Sequence, residues 1–160
     1  MSSSPPTTRR RSRQFTPAEA EGWLGLVRVE AAVVARLDGE LSRHHGLSLS
    51  AFEVLQRLAR AEDSRMRMSD LAQEVMLSPS RITRLVDSMS DDGLVSRDRC
   101  PADARSFWTV LTGAGRKRLE EARPTHVSVV RASFLSHLDD DELDDLRGFW
   151  RRMLPESCLR

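Results

Sequence analysis

The residues best suited to chemistry lie between Ser78 and Arg105. Ser78-Pro79-Ser80-Arg81-Ile82-Thr83-Arg84-Leu85-Val86-Asp87 reads as a helix start, with Ser as N-cap and Pro at the first helical position. At about 100° per residue, Ile82, Leu85, Val86 and Met89 fall on one side and point to a core. Ser80, Arg84, Asp87 and Asp91 fall on the other, flanked by Arg81 and Thr83. Hydroxyls at such a helix start donate to phosphate oxygens, and guanidinium groups pair bidentately with guanine edges in a major groove. A solvated polar face with helix-supporting charges is the competing reading. Arg97 and Arg99 follow on an extended segment, with Asp103 and Arg105 near a turn. An Arg at a hairpin tip can enter a narrow minor groove, and an acid two residues away can hold it there. The alternative is an exposed ion pair of little energetic weight.

These groups need elements to hold them. Leu71, Val75, Leu77, Ile82 and Leu85 have the spacing of a helix-turn-helix core, with the small Ala72 where two short helices cross. The turn usually has Gly where this chain has Met76. A left-handed non-Gly residue costs on the order of 1 kcal/mol. Ser69 is expected to cap a short helix over Asp70–Val75, and Gly93 to end the helix that begins at Pro79. Two strands are predicted, Leu94–Arg97 and Phe107–Leu111, with a loop containing Cys100 to Arg105 between them.

On either side lie helices. Thr16-Pro17-Ala18-Glu19 forms a capping box for a helix running to about His45, with Gly46 as its stop. Ser50-Ala51-Phe52-Glu53 reads as a second box, opening a helix with Phe52, Val54, Leu55, Leu58 and Ala59 inward. Thr112 should cap a fifth helix, which Pro124 should kink or interrupt. Asp139-Asp140-Asp141-Glu142 is a third box, for a helix ending at Pro155. The fold class is therefore mainly α with a small β-hairpin wing: a winged helix-turn-helix with N- and C-terminal dimerisation helices. Residues 1–15 are expected to be a disordered basic tail, 16–48 and 113–155 the dimerisation helices, and 49–112 the binding lobe. The long first helix and Val127, Val130, Phe134, Leu138, Leu143, Leu146, Phe149, Trp150 and Met153 offer more apolar surface than such a lobe can cover. A homodimer follows as the expectation.

The charge distribution has two readings, a polyanionic partner or chance clustering. The formal net charge is only +1, but residues 1–15 carry four Arg and no acid. Residues 65–118 carry ten basic and seven acidic groups, and the segments on either side of that block are net acidic. Such separation can give a nearly neutral protein a positive face.

The runs Leu49-Ser50-Ala51-Phe52-Glu53-Val54-Leu55, Leu71-Ala72, Ser80 to Asp87, Gly93-Leu94-Val95-Ser96-Arg97, Asp103-Ala104-Arg105 and Leu111-Thr112-Gly113-Ala114-Gly115 resemble the MarR family of bacterial transcriptional regulators. The resemblance covers about residues 17–154. It implies a homodimeric winged-helix regulator whose first and last helices interlock and whose two lobes bind a palindrome in double-stranded DNA. It implies that the start of the Pro79–Asp91 helix serves the major groove and that Asp103 and Arg105 serve the wing. The expected DNA-binding set is Ser78, Ser80, Arg81, Thr83, Arg84, Arg97, Arg99, Asp103 and Arg105. A small phenolic or lipophilic effector is the other partner the resemblance implies. A winged-helix protein–protein module without DNA binding is the alternative.

Other signals are weak. His44, His45, His126 and His137 form no paired metal face, so no metal and no cofactor are expected. Cys100 has Arg97 and Arg99 to lower its pKa but no further activating group, and Cys158 lies beyond the last helix. No catalytic triad, carboxylate pair or phosphate-binding Gly loop appears, so no enzyme is expected. The sequence lacks an apolar run of membrane-spanning length and an apolar stretch behind its first charges. A cytoplasmic address is the expectation.

Overall fold

The computed structural model describes residues 14–100 and 103–154, without the side chains of Cys100 and of residues 103–106. The expected basic tail therefore lies almost wholly outside the described residues. Six α-helices and three strands follow in the order α1 (Pro17–His45), α2 (Leu49–Arg60), β1 (Arg65–Arg67), α3 (Met68–Glu74), α4 (Pro79–Asp91), β2 (Val95–Cys100), β3 (Asp103–Leu111), α5 (Gly113–Ser133) and α6 (Asp140–Met153). The chain divides into two units, 1–32 and 33–160. In the first, α1 begins with the expected capping box. The Glu19 N–H donates to the Thr16 hydroxyl at 3.2 Å, and the Thr16 N–H donates to the Glu19 carboxylate at 2.8 Å.

The second unit holds one hydrophobic core. Phe52, Val54, Leu55 and Leu58 of α2 meet Leu71 and Ala72 of α3, Ile82, Val86 and Met89 of α4, and Val95 and Leu111 of the sheet. Leu41 of α1 and Leu119 and Ala122 of α5 join the same cluster. So the end of α1 and the start of α5 build the lobe that residues 49–112 were expected to form. The sheet is antiparallel, in the order β1-β3-β2.

Several boundaries differ from the sequence expectation. The α2 helix is capped by Ser48, not Ser50: the Ala51 N–H donates to the Ser48 hydroxyl at 3.2 Å. Asp38 of α1 accepts the Leu49 N–H at 2.8 Å, which satisfies a donor that a cap at Ser50 would have left outside the helix. The α3 helix starts at Met68, two residues early, because β1 runs straight into it. The Ser69 hydroxyl donates to Asp70 at 3.0 Å and makes no cap. Strand β1 was not foreseen. Both hairpin strands reach further into the expected loop, while Leu94 is buried just before β2. The α5 helix runs unbroken through Pro124. The carbonyl of Glu120 that loses its partner there lies on an exposed stretch, where water can take the place of the missing N–H. The last helix has the expected capping box and ends at Met153 rather than Pro155, with Leu154 as its cap.

The junction of hairpin and α5 is tight. The Thr112 hydroxyl accepts the Gly115 N–H at 3.0 Å and lies 2.8 and 3.0 Å from the Gly93 and Leu94 carbonyls. A Cβ at position 115 would run into the Leu94 carbonyl oxygen, a backbone atom that cannot step aside. Gly115→Ala is therefore expected to destabilise the fold by about 1–3 kcal/mol, read as a lower urea midpoint at unchanged slope.

Behind that junction, His126 of α5 stacks on Phe52 of α2, with ring centroids 4.7 Å apart. Burial lowers the His126 pKa below its ordinary 6.5. The unfolded chain then binds a proton at a higher pH than the folded one, so this group removes stability as pH falls below 6.5. His126→Phe is expected to keep the stack and abolish this component, measured as the difference between the two proteins' unfolding free energies from pH 7 to pH 5.5.

Candidate nucleic-acid interface

Helix α3, a turn and helix α4 form the expected helix-turn-helix. Leu71, Ala72, Val75 and Ile82 are buried between them, with Leu77 and Leu85 half-buried beside them. The turn closes as a Schellman motif: the Leu77 N–H donates to the Ala72 carbonyl at 2.9 Å and the Met76 N–H to the Gln73 carbonyl at 3.2 Å. This motif needs a left-handed residue, and Met76 supplies it with φ of +53°. Its side chain is 91% exposed, so the backbone strain is not accompanied by any burial of the thioether.

The α4 helix divides as its pattern requires. Ile82, Val86 and Met89 are buried, while Ser78, Ser80, Arg81, Thr83, Arg84 and Asp87 are exposed. Three contacts order the exposed side. The Ser78 and Ser80 hydroxyls lie 3.3 Å apart at the helix start. Arg84 Nε donates to the Ser80 carbonyl at 3.3 Å, which lays its guanidinium along the first turn. The Thr83 hydroxyl donates to the Pro79 carbonyl at 2.8 Å. Its one proton is thereby used, and Thr83 presents a methyl group and an acceptor outward, features suited to base edges rather than to phosphate.

The sheet register sorts the basic residues of the wing. Arg97 pairs across to Thr109 and Arg99 to Phe107. Thr109 is fully buried, so Arg97 and Arg99 leave the sheet on the side that packs against the helices. Arg97 Nη2 contacts the Asp87 carboxylate and lies 3.5 Å from the Thr83 carbonyl, both on α4. Sequence reasoning had placed Arg97 at the nucleic acid and Asp87 on a free face. The opposite charges on either side of the Gly93 turn were the signal available. The side chains of Asp103 and Arg105 lie outside the described residues, so their expected pairing has no geometry here.

The other face of the sheet carries a cluster that the sequence pattern did not single out. Arg65 and Arg67 of β1 place their guanidinium groups 5.1 and 5.5 Å from the Trp108 ring of β3. The register makes Arg67 the direct partner of Trp108. Asp63 pairs with Arg65 at 3.0 Å. Among the described residues, no group of three or more His, Cys, Asp or Glu could hold a metal ion. None of the described helices is long and apolar enough to cross a membrane.

Two short crossed helices, the second with a hydroxyl- and guanidinium-bearing outer face, followed by a hairpin, define a winged helix-turn-helix. Known proteins narrow the class. A profile of the MarR family matches residues 45–106. The crystal structure of AbsC, a MarR family transcriptional regulator from Streptomyces coelicolor, is 32% identical, with a TM-score of 0.82 over 89% of this chain and 95% of AbsC. Sco3205, a MarR family transcriptional regulator from the same organism crystallised in complex with DNA, is 27% identical, with a TM-score of 0.83 over 89% of each chain. The HTH-type transcriptional repressor YetL of Bacillus subtilis (strain 168) is 34% identical over 97 residues, which span 61% of this chain and 58% of YetL. The chain belongs to the MarR family.

Proposed function

We propose that this chain is a cytoplasmic, homodimeric transcriptional repressor that binds a palindromic DNA operator and is released by a small phenolic or lipophilic effector. The observation that carries the reading is the exposed side of α4. Its first two turns hold Ser78, Ser80, Arg81, Thr83 and Arg84 clear of the core, while Ile82, Val86 and Met89 fix the helix from behind. The helix thus presents donors, acceptors and planar cations on a rigid element, as major-groove reading requires. Arg99, Asp103 and Arg105 serve the wing. That Sco3205, a member of the same family, was crystallised in complex with DNA supports the DNA-binding reading.

The dimer is proposed from surface chemistry. In the first unit, Trp23 is 56% exposed, and Leu24, Leu26, Val27 and Val29 are exposed beside it. In the second unit, Phe149 and Met153 of α6 are exposed. A soluble chain does not usually leave so many large apolar groups in water, and a second copy is the cover proposed for them. An open cleft of 630 Å³ supports the effector reading. It is lined by Arg36, Glu40, His44 and His45 of α1 and Thr125 and Ser128 of α5.

Selection of duplexes from a random pool tests the DNA reading, followed by affinity measurement across salt. A palindrome should be enriched, and its affinity should fall steeply as salt rises. Arg81→Ala and Arg84→Ala should each weaken that binding by ~1–3 kcal/mol where the contact is to a base edge, with folding unchanged. Full affinity in both variants would assign reading to another face. A protein–protein module would enrich no duplex. Light scattering tests assembly: the full chain should be a dimer at micromolar concentration, and removal of residues 138–160 should give aggregate. A soluble folded monomer from that truncation would overturn the shared interface.

A further inference from the structure

One guanidinium joins the wing to the helix beside it. Arg97 sits on β2 and reaches α4 at two points, the Asp87 carboxylate and the Thr83 carbonyl. Its strand partner Thr109 is fully buried, so the Arg97 stem starts from the packed side of the sheet and is aimed at α4. The Asp87 and Arg97 side chains are 51% and 31% exposed. An ion pair this wet adds little to overall stability. What the contact fixes is an angle. Among the described residues, Thr109 is the last buried position before the hairpin tip, and the next pair on that face, Arg99 and Phe107, is exposed. The contact runs from the first strand at that point to α4.

We infer that Asp87 and Arg97 form a latch that holds the wing at a set angle to α4, so that both meet adjacent grooves of one duplex together. The two are positioning residues and touch no DNA themselves. This rests on the reading of α4 as the DNA-binding helix. Electrostatics give the inference a sign. Asp87 lies on the exposed side of α4, where a free carboxylate would repel phosphate. Neutralising a free carboxylate there would tighten DNA binding. Neutralising one half of a latch releases Arg97, lets the wing swing and weakens binding.

The test uses the full chain, the duplex enriched by selection, and the variants Asp87→Asn, Arg97→Gln and their combination. Each single variant is expected to lower affinity about three- to tenfold, with the combination no worse than the weaker single, because both remove the same contact. The salt dependence should stay near that of the unmodified protein, whereas loss of a phosphate contact would reduce its slope by about one. Asp87→Glu, which keeps the charge, should retain most of the affinity. In the DNA-free protein, amide exchange across residues 95–111 should quicken in Asp87→Asn while the melting temperature barely moves. Tighter or unchanged binding by Asp87→Asn overturns the latch. So do additive losses with a reduced slope for Arg97→Gln, which would make Arg97 a phosphate contact. Unaltered exchange overturns it without any DNA. If the unmodified protein enriches no duplex, the DNA reading fails, and the exchange measurement still decides whether the latch holds the hairpin.

Discussion

The fold turns on the few atoms where α4, the wing and α5 meet. Leu94 donates its N–H to the Met89 carbonyl at the end of α4, at 2.9 Å, and its own carbonyl accepts the Thr112 N–H at 3.2 Å. Thr112 caps α5 through its hydroxyl and turns the same oxygen toward the Gly93 and Leu94 carbonyls. Gly115 lets α5 come close enough for this, because a Cβ there would meet the Leu94 backbone. Leu94 and Leu111 meanwhile enter the core from both sides of the hairpin base. One junction thus fixes where α4 ends, where the wing begins and where α5 starts. A displacement at any of these points would move the other two.

From that anchored base, the outer parts of the lobe have room to differ in rigidity. The buried side of α4 is held by Ile82, Val86 and Met89, so its exposed groups stand on a firm backing. The hairpin is backed at its base, where Val95, Thr109 and Leu111 are buried and β1 pairs with β3, and the Arg97–Asp87 contact ties it to the helix at the register of Thr109. On the opposite face of the sheet, the two guanidinium groups over Trp108 shield a large ring that would otherwise lie open to water. The Met76 turn shows the same economy in another form: a left-handed residue is tolerated because its side chain needs nothing from the core.

Helix existence, type and inner face were legible in the residues because each is decided within a turn or two. The Thr16–Glu19 and Asp139–Glu142 boxes, the Thr112 cap and the Ser78-Pro79 start involve groups at most three positions apart. The split of α4 into Ile82, Val86 and Met89 against Arg81, Thr83 and Arg84 follows from helical periodicity alone. Tertiary structure decided what depends on distant partners. Ser48 rather than Ser50 begins α2 alongside Asp38 of another helix, which takes the Leu49 N–H. Strand β1 exists through its pairing with β3, too short at three residues to show a period of its own. Pro124 leaves α5 intact, and the carbonyl that loses its partner belongs to the exposed Glu120, where water can replace the missing N–H. Arg97, one of several basic residues in the sequence, meets Asp87 only after the turn at Gly93 has folded the wing strand back along α4. Local patterns thus determined which elements form and which sides they bury, since those energies accrue between neighbours in the chain. The pairing of charges, caps and strands across the lobe was settled by folding, since a side chain's partner is whatever the packed backbone brings within reach.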